Sequence, residues 1–276
     1  MRLFSQILGD GPPLVILHGL FGMSDNWLTV GRQLAQLGNF TVHIPDLRNH
    51  GNSPHSASHR YTEMADDLLE YLDVHHLDTV QMIGHSMGGK LAMVFALLSP
   101  ERLEKLVVVD IAPVDYRSTE NTFHRQLIDT LLAIDLNRFA SRGAVHRELE
   151  RILADKRLAD FLSKSIAVQG QTRTMAWKFN LEVLGKFLAH IQLGLEDLAL
   201  YAPCPVPTLF VKGDNSAYYL PAYDSQRLLF FPDSAVVGIR NAGHWLHSEQ
   251  PLRFIEATLA FLHQDDTSPR ARPTSF

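Results

Sequence analysis

Gly84-His85-Ser86-Met87-Gly88 spells G-x-S-x-G between an apolar run at 79–83 and a helical pattern at 87–98. A serine at such a strand-to-helix turn sits on a sharp bend with its Oγ exposed. Small neighbours let the two backbones approach, and the helix N-terminus favours negative charge nearby. Ser86 is therefore the candidate nucleophile. A serine needs a base, and the base needs a carboxylate on its other nitrogen. Asn241-Ala242-Gly243-His244-Trp245 follows the last apolar run, and His244 fits the base. Nucleophile, acid, then histidine is a chain order that admits two acids. Asp110 lies between Val109 and Ile111, where an unpaired carboxylate would be costly and a histidine partner would offset the cost. Asp214, in Lys212-Gly213-Asp214-Asn215-Ser216, is the second choice. Ser216 stands where a late-strand acid is usual, close enough to help hold the imidazole if Asp110 serves.

Acyl transfer through a serine also needs two donors aimed at the developing oxyanion. The Met87 N–H supplies one. The Leu20 N–H, on the loop Leu17-His18-Gly19-Leu20-Phe21-Gly22, supplies the other, which leaves Phe21 facing the pocket. His244-x-x-His247 has the look of a metal pair, but no carboxylate or cysteine cluster accompanies it, so His247 reads as structural. His18, His50 and His85 stand beside glycine turns and read as loop-shaping groups. Asp46 and Arg48 are expected to pair and fix the polar turn that follows the second apolar run. No dinucleotide or phosphate-binding fingerprint is present.

These residues need a scaffold. Short apolar runs at 14–17, 40–44, 79–83, 106–109, 208–211 and 235–239 lack alternation, as strands buried on both faces do. Helical patterns at 25–37, 61–73, 87–98 and 251–263 lie among them, so a doubly wound α/β sheet is expected. The rhythm breaks over 115–201, which reads as helices throughout, with candidates at 122–132, 141–149, 158–168 and 180–191. The expected division is a core at 1–114 and 202–264, a helical cap at 115–201 and a flexible tail at 265–276. The 276 residues are 46% hydrophobic and 20% charged, enough for a sizeable core and against disorder. A net charge of -5 argues against nucleic acid. Cys204 is the single cysteine, so a disulfide scaffold is excluded. No signal peptide or membrane-spanning run is read, and a cytoplasmic protein, monomer or homodimer, is expected.

Taken together, these motifs resemble the serine hydrolase branch of the α/β-hydrolase superfamily. They are most similar to the bacterial acyl-CoA esterase/thioesterase group related to the abhydrolase-domain-11 proteins. The likeness runs from about residue 14 to 262. It rests on the loop at 18–22, Asp25-Asn26-Trp27, Asp46-x-Arg48-Asn49-His50-Gly51-x-Ser53, Gly84 to Lys90, and Val109-Asp110-Ile111-Ala112-Pro113. Trp177-Lys178-Phe179-Asn180-Leu181, Gly213-x-Asn215-Ser216 and Gly243-His244-Trp245 complete it. The resemblance implies an eight-stranded, mostly parallel sheet with the cap inserted after the sixth strand. It implies Ser86, Asp110 and His244 as the triad, Ser216 as auxiliary, and Trp177, Phe179, Asn180 and Trp245 near the pocket. Asp214 departs from the pattern, since relatives more often carry glycine there. The expected activity is a serine carboxylesterase acting on small-molecule esters or thioesters of short to medium acyl groups, without cofactor or metal. A C–C bond hydrolase or perhydrolase of the same fold, or a small-molecule receptor with vestigial hydrolysis, is the alternative. Epoxide- and halide-cleaving relatives need a carboxylate where Ser86 stands.

Overall fold

The computed structural model describes residues 1–117, 122–170, 174–198, 200 and 203–264. In chain order the first half holds β1 (Ser5–Leu8), β2 (Pro13–Leu17), α1 (Leu28–Gly38), β3 (Thr41–Pro45), α2 (Tyr61–Val74), β4 (Val80–His85), α3 (Met87–Leu98) and β5 (Leu103–Val109). The insertion holds α4 (Thr122–Ala133), α5 (Arg142–Leu153), α6 (Lys156–Lys164), β6 (Ile166–Gln169), β7 (Thr174–Trp177), α7 (Leu181–Lys186) and α8 (Leu188–Ile191). The chain then returns through β8 (Thr208–Gly213), α9 (Asp224–Phe230), β9 (Ser234–Ile239), α10 (Leu246–Glu249) and α11 (Pro251–Leu262).

The main sheet runs β1-β3-β2-β4-β5-β8-β9, with β1 antiparallel to β3 and every other neighbouring pair parallel. All six apolar runs become strands of this sheet. Alternate side chains go to opposite faces. Leu14, Ile16, Val107 and Val109 pack with Trp27, Leu34 and Phe254 under α1 and α11. Val15, Leu17, Leu106 and Val108 pack with Leu68, Leu91 and Phe95 under α2 and α3. The helix α3 is buried from Met87 to Ala96, which explains a pattern that is apolar all round rather than striped.

Three expectations change. Seven strands, not eight, make the main sheet among the described residues; residues 1–4 form no strand, and the terminal ammonium is held by Asp67 at 2.7 Å and Glu70 at 2.6 Å. The insertion accordingly follows the fifth strand, β5, not a sixth. Nor is it helical throughout: the helix expected at 158–168 stops at Lys164, and β6 and β7 form an antiparallel ribbon. Ser165 turns the chain there, accepting the Lys178 N–H at 2.7 Å and donating its Oγ–H to Phe21 O at 3.2 Å, and the β-branched Ile166 and Val168 then suit a strand. The tail at 265–276 and the cap boundary at Tyr201 lie outside the described residues.

Two segments join the insertion to the sheet, and they are bonded to each other. The Tyr116 N–H donates to Gln192 O at 2.9 Å and the Leu195 N–H to Pro113 O at 3.1 Å. Lys90, on α3, donates to Val114 O at 2.7 Å and Leu193 O at 2.6 Å, one on each segment. Burial pulls this ammonium down to about 7. The insertion is thereby anchored to the helix that carries the serine turn. Among the described residues no helix is long and apolar enough to cross a membrane.

Candidate active site

Ser86 closes β4 and opens α3 with φ 53° and ψ −120°, a conformation that side chains rarely adopt. The surroundings enforce it. The Ser86 N–H donates to Val109 O at 3.0 Å, and the Lys90 N–H donates to Ser86 O at 2.9 Å. A Cβ on Gly84 would stand 2.4 Å from Gly88 O, and one on Gly88 would stand 2.5 Å from His18 O. Strand, helix and the loop after β2 meet here only because both positions lack side chains. Phe21 (φ 61°) and Asp110 (φ 51°) are likewise held in the left-handed region. Such strain persists where surrounding contacts over-determine it, and it gathers at functional sites.

Asp110 ends β5 beside the end of β8. Its carboxylate is 1% exposed and accepts three donors: the Gly213 N–H on Oδ1 at 3.0 Å, and on Oδ2 the Ser216 hydroxyl at 2.5 Å and His244 Nδ1–H at 2.7 Å. The proton thus sits on Nδ1 of His244 and leaves Nε2 as acceptor. Tyr218 stacks on the imidazole, ring centres 4.0 Å apart. His85, its ring centre 4.7 Å from that of His244, donates Nε2–H to His244 O at 2.9 Å. Asp214 is turned away: its nearest cation is Lys212 at 3.7 Å, and its carboxylate packs over Gly238. Of the two candidate acids, the structure brings Asp110 to His244.

Histidines also shape the loop at 18–22. His50 Nε2 accepts the Phe21 N–H at 3.2 Å, while its Nδ1–H donates to Arg48 O at 3.0 Å. His18 Nε2 accepts the Leu47 N–H at 3.0 Å and its Nδ1–H donates to Gly19 O at 2.9 Å. The Gly22 N–H goes to Gly19 O, and the Leu20 N–H has no acceptor among the described residues. Arg48 does not pair with Asp46. It binds Asp67 at 2.6 Å and Glu63 at 2.6 Å on α2, whereas Asp46 accepts the Ser24 and Asn52 N–H groups. The arginine fork reaches two carboxylates one turn apart on α2, while a short aspartate serves the backbone beside it.

Two recesses meet at Ser86. A cleft of about 490 Å³ is lined by Ser86, Leu20, Phe21 and His244, with Trp245 and, from α6, Phe161. A pocket of about 40 Å³ is lined by Ser86, Leu20 and Met87 together with Ile111, Leu188 and Ile191. Phe21 and Trp245 thus face the cleft. Trp177, Phe179 and Asn180 line neither recess. Phe179 packs between Phe21 and Trp177, its ring centre 5.1 Å from each, and Asn180 ties the insertion to Asn49, donating its N–H to Asn49 O at 2.9 Å. Sequence reasoning missed Tyr218, Phe161 and His124, a cap histidine on the small pocket that burial and the nearby His244 bring down to about 4. The signal for Tyr218 was its place two residues after Ser216. Nothing local marks the other two.

His247 is buried and stacked on Trp27 at 4.1 Å. Burial brings it and His59 down to about 3, and it pushes His50 and His85 well below the ordinary 6.5. Below that value the unfolded chain binds protons that the folded chain refuses. The stability these groups contribute is present above pH 6.5 and is lost as pH falls, by up to about 1.4 kcal/mol per group and pH unit. All four groups act in the same direction, against a total stability of about 5–15 kcal/mol. Cooperative unfolding between about pH 4 and 6 is expected by circular dichroism; a fold intact at pH 3.5 would refute it.

Comparison with known proteins adds three findings. Residues 12–251 match the model of the alpha/beta hydrolase fold family. The chain is 35% identical over 257 residues to the sn-1-specific diacylglycerol lipase ABHD11 of Danio rerio, covering 92% of this chain and 79% of that one. It is 35% identical over 254 residues to Esterase YbfF of Escherichia coli, covering 92% and 94%. Among solved structures it is similar to a marine microorganism esterase, with a TM-score of 0.90 and 38% identity, covering 94% of this chain and 99% of that one.

Proposed function

Since this chain belongs to the α/β-hydrolase fold family, we propose that it is a serine carboxylesterase cleaving short to medium acyl esters or thioesters through an acyl-enzyme on Ser86. At the level of reaction class it is a hydrolase of esterase or lipase type. The observation that carries the finer reading is the bonded run from Ser216 and Gly213 through Asp110 to His244, with Ser86 and His244 on one cleft.

That geometry supports the following roles. His244 Nε2 takes the Ser86 proton as Oγ attacks the carbonyl carbon, and Asp110 stabilises the imidazolium through Nδ1–H. The Leu20 and Met87 N–H groups receive the oxyanion. The adduct collapses, the bond to the leaving oxygen or sulfur breaks, and His244 gives that atom its proton. Water then enters and gives a proton to His244 as its oxygen attacks the acyl carbon; the Oγ–acyl bond breaks, His244 returns that proton to Ser86 Oγ, and the acid leaves. The relatives named as esterase and lipase support this chemistry and leave the acyl group open.

The test is covalent. A fluorophosphonate probe is expected to label the protein at Ser86, found by peptide mass analysis, and to abolish turnover of p-nitrophenyl butyrate in step with labelling. An unlabelled, correctly folded protein that binds esters without turnover would overturn the enzyme reading in favour of a receptor.

A further inference from the structure

The two recesses at Ser86 differ about tenfold in volume, and His244 lies on only one of them. We infer that the small pocket takes the acyl group and the cleft takes the leaving group. The preferred substrates are then esters or thioesters of uncharged acyl groups of up to about four carbons, joined to bulky alcohols or thiols. This assignment rests on the serine-hydrolase reading above.

When the tetrahedral adduct collapses, the electron pair of the breaking bond leaves with the oxygen or sulfur, which takes the proton from His244. The leaving atom must therefore lie against His244, and His244 is on the wall of the cleft and not of the small pocket. Met87, one of the two oxyanion donors, lines the small pocket and not the cleft, while Leu20 and Ser86 line both. The carbonyl carbon sits at the junction, and its remaining substituent points to the side of Met87.

Volume then limits that substituent. The pocket measures about 40 Å³, and one water-sized group occupies about 10–15 Å³ on this measure, so about three heavy atoms fit beyond the carbonyl carbon. Its wall is made of packed groups: Ile111 is 6% exposed and Leu188 3%, and Tyr61 donates its hydroxyl to Ile191 O at 2.8 Å. The ammonium of Lys90 on its wall is already bonded to two carbonyls, so a charged acyl terminus is not called for. The cleft, at about 490 Å³, mixes Phe161, Trp245 and Trp27 with Arg157, Asp160 and Lys164, which suits a large leaving group carrying both rings and polar atoms.

Two substrate series test this. With p-nitrophenol fixed, acetate and butyrate are expected to have the highest kcat/KM, and octanoate to fall at least about tenfold below butyrate. Leu188→Ala and Ile191→Ala should each raise hexanoate relative to butyrate by about tenfold. With acetate fixed and ethanol, phenol or 1-naphthol as leaving group, Phe161→Ala should reorder the alcohols and keep the acyl order. Octanoate as the best wild-type substrate would overturn the assignment without any variant, and so would an acyl order that follows Phe161→Ala. Turnover that is lost in Ser86→Ala but shows no chain-length limit sinks the pocket assignment alone. Turnover that survives in Ser86→Ala sinks the serine reading as well.

Discussion

Ser86→Ala is expected to lower kcat for p-nitrophenyl butyrate by about 10⁴-fold or more while the melting temperature stays within about 2 °C of the parent. The substitution removes one oxygen. It keeps the Cβ, so the strained φ of 53° is neither relieved nor worsened. The two backbone bonds at this turn, to Val109 O and from the Lys90 N–H, do not involve the hydroxyl. What remains is the proposed oxyanion site at Leu20 and Met87 with nothing to form the acyl-enzyme, which allows only slow attack by water. Stopped-time hydrolysis and a thermal melt on the same preparation measure both halves. Retained turnover would remove Ser86 from the mechanism, and a collapse of the melt would show that the hydroxyl holds the turn together.

The candidate nucleophile was legible because its signal is local. A run of apolar residues, two glycines at fixed offsets and an apolar helix specify strand, turn and helix within twenty positions, and β4, Ser86 and α3 fall there. The proposed acid was legible only in part, because Asp110 and His244 are 134 residues apart and chain order admitted two candidates. Register supplies what order does not. Val109 pairs with Val211, which sets Asp110 beside the Gly213 N–H, and the alternation of a strand end then sends Asp214 the other way. The walls of the two recesses were the least legible. Phe161 on the cleft and His124 and Leu188 on the small pocket come from three cap helices, and which face of each meets its recess is set by packing. The family resemblance put Trp177 and Phe179 near the pocket, yet this pair packs behind Phe21. The edge strand β1 was missed for a related reason: it is short and half exposed, so it carries no apolar run.

Asp110→Asn and Asp214→Asn should separate by about a thousandfold or more. At position 110 the amide presents an NH₂ where a carboxylate oxygen accepted His244 Nδ1–H. The imidazole then favours the other tautomer, with Nδ1 accepting and the proton on Nε2, facing Ser86. It can no longer take the serine proton, and the imidazolium loses its counter-charge, so kcat falls by about 10⁴-fold near pH 7 with KM little changed. The other carboxylate oxygen still accepts the Gly213 N–H, so the strand ends stay joined and the chain folds. At position 214 the side chain is exposed and its nearest cation, Lys212, is 3.7 Å away, an ion pair worth about 0–1 kcal/mol. Asp214→Asn is therefore expected to keep kcat within about twofold. Paired kcat measurements at pH 7 decide between them. A larger loss in Asp214→Asn would transfer the orienting role to Asp214, and equal small losses would mean that His244 works without either carboxylate.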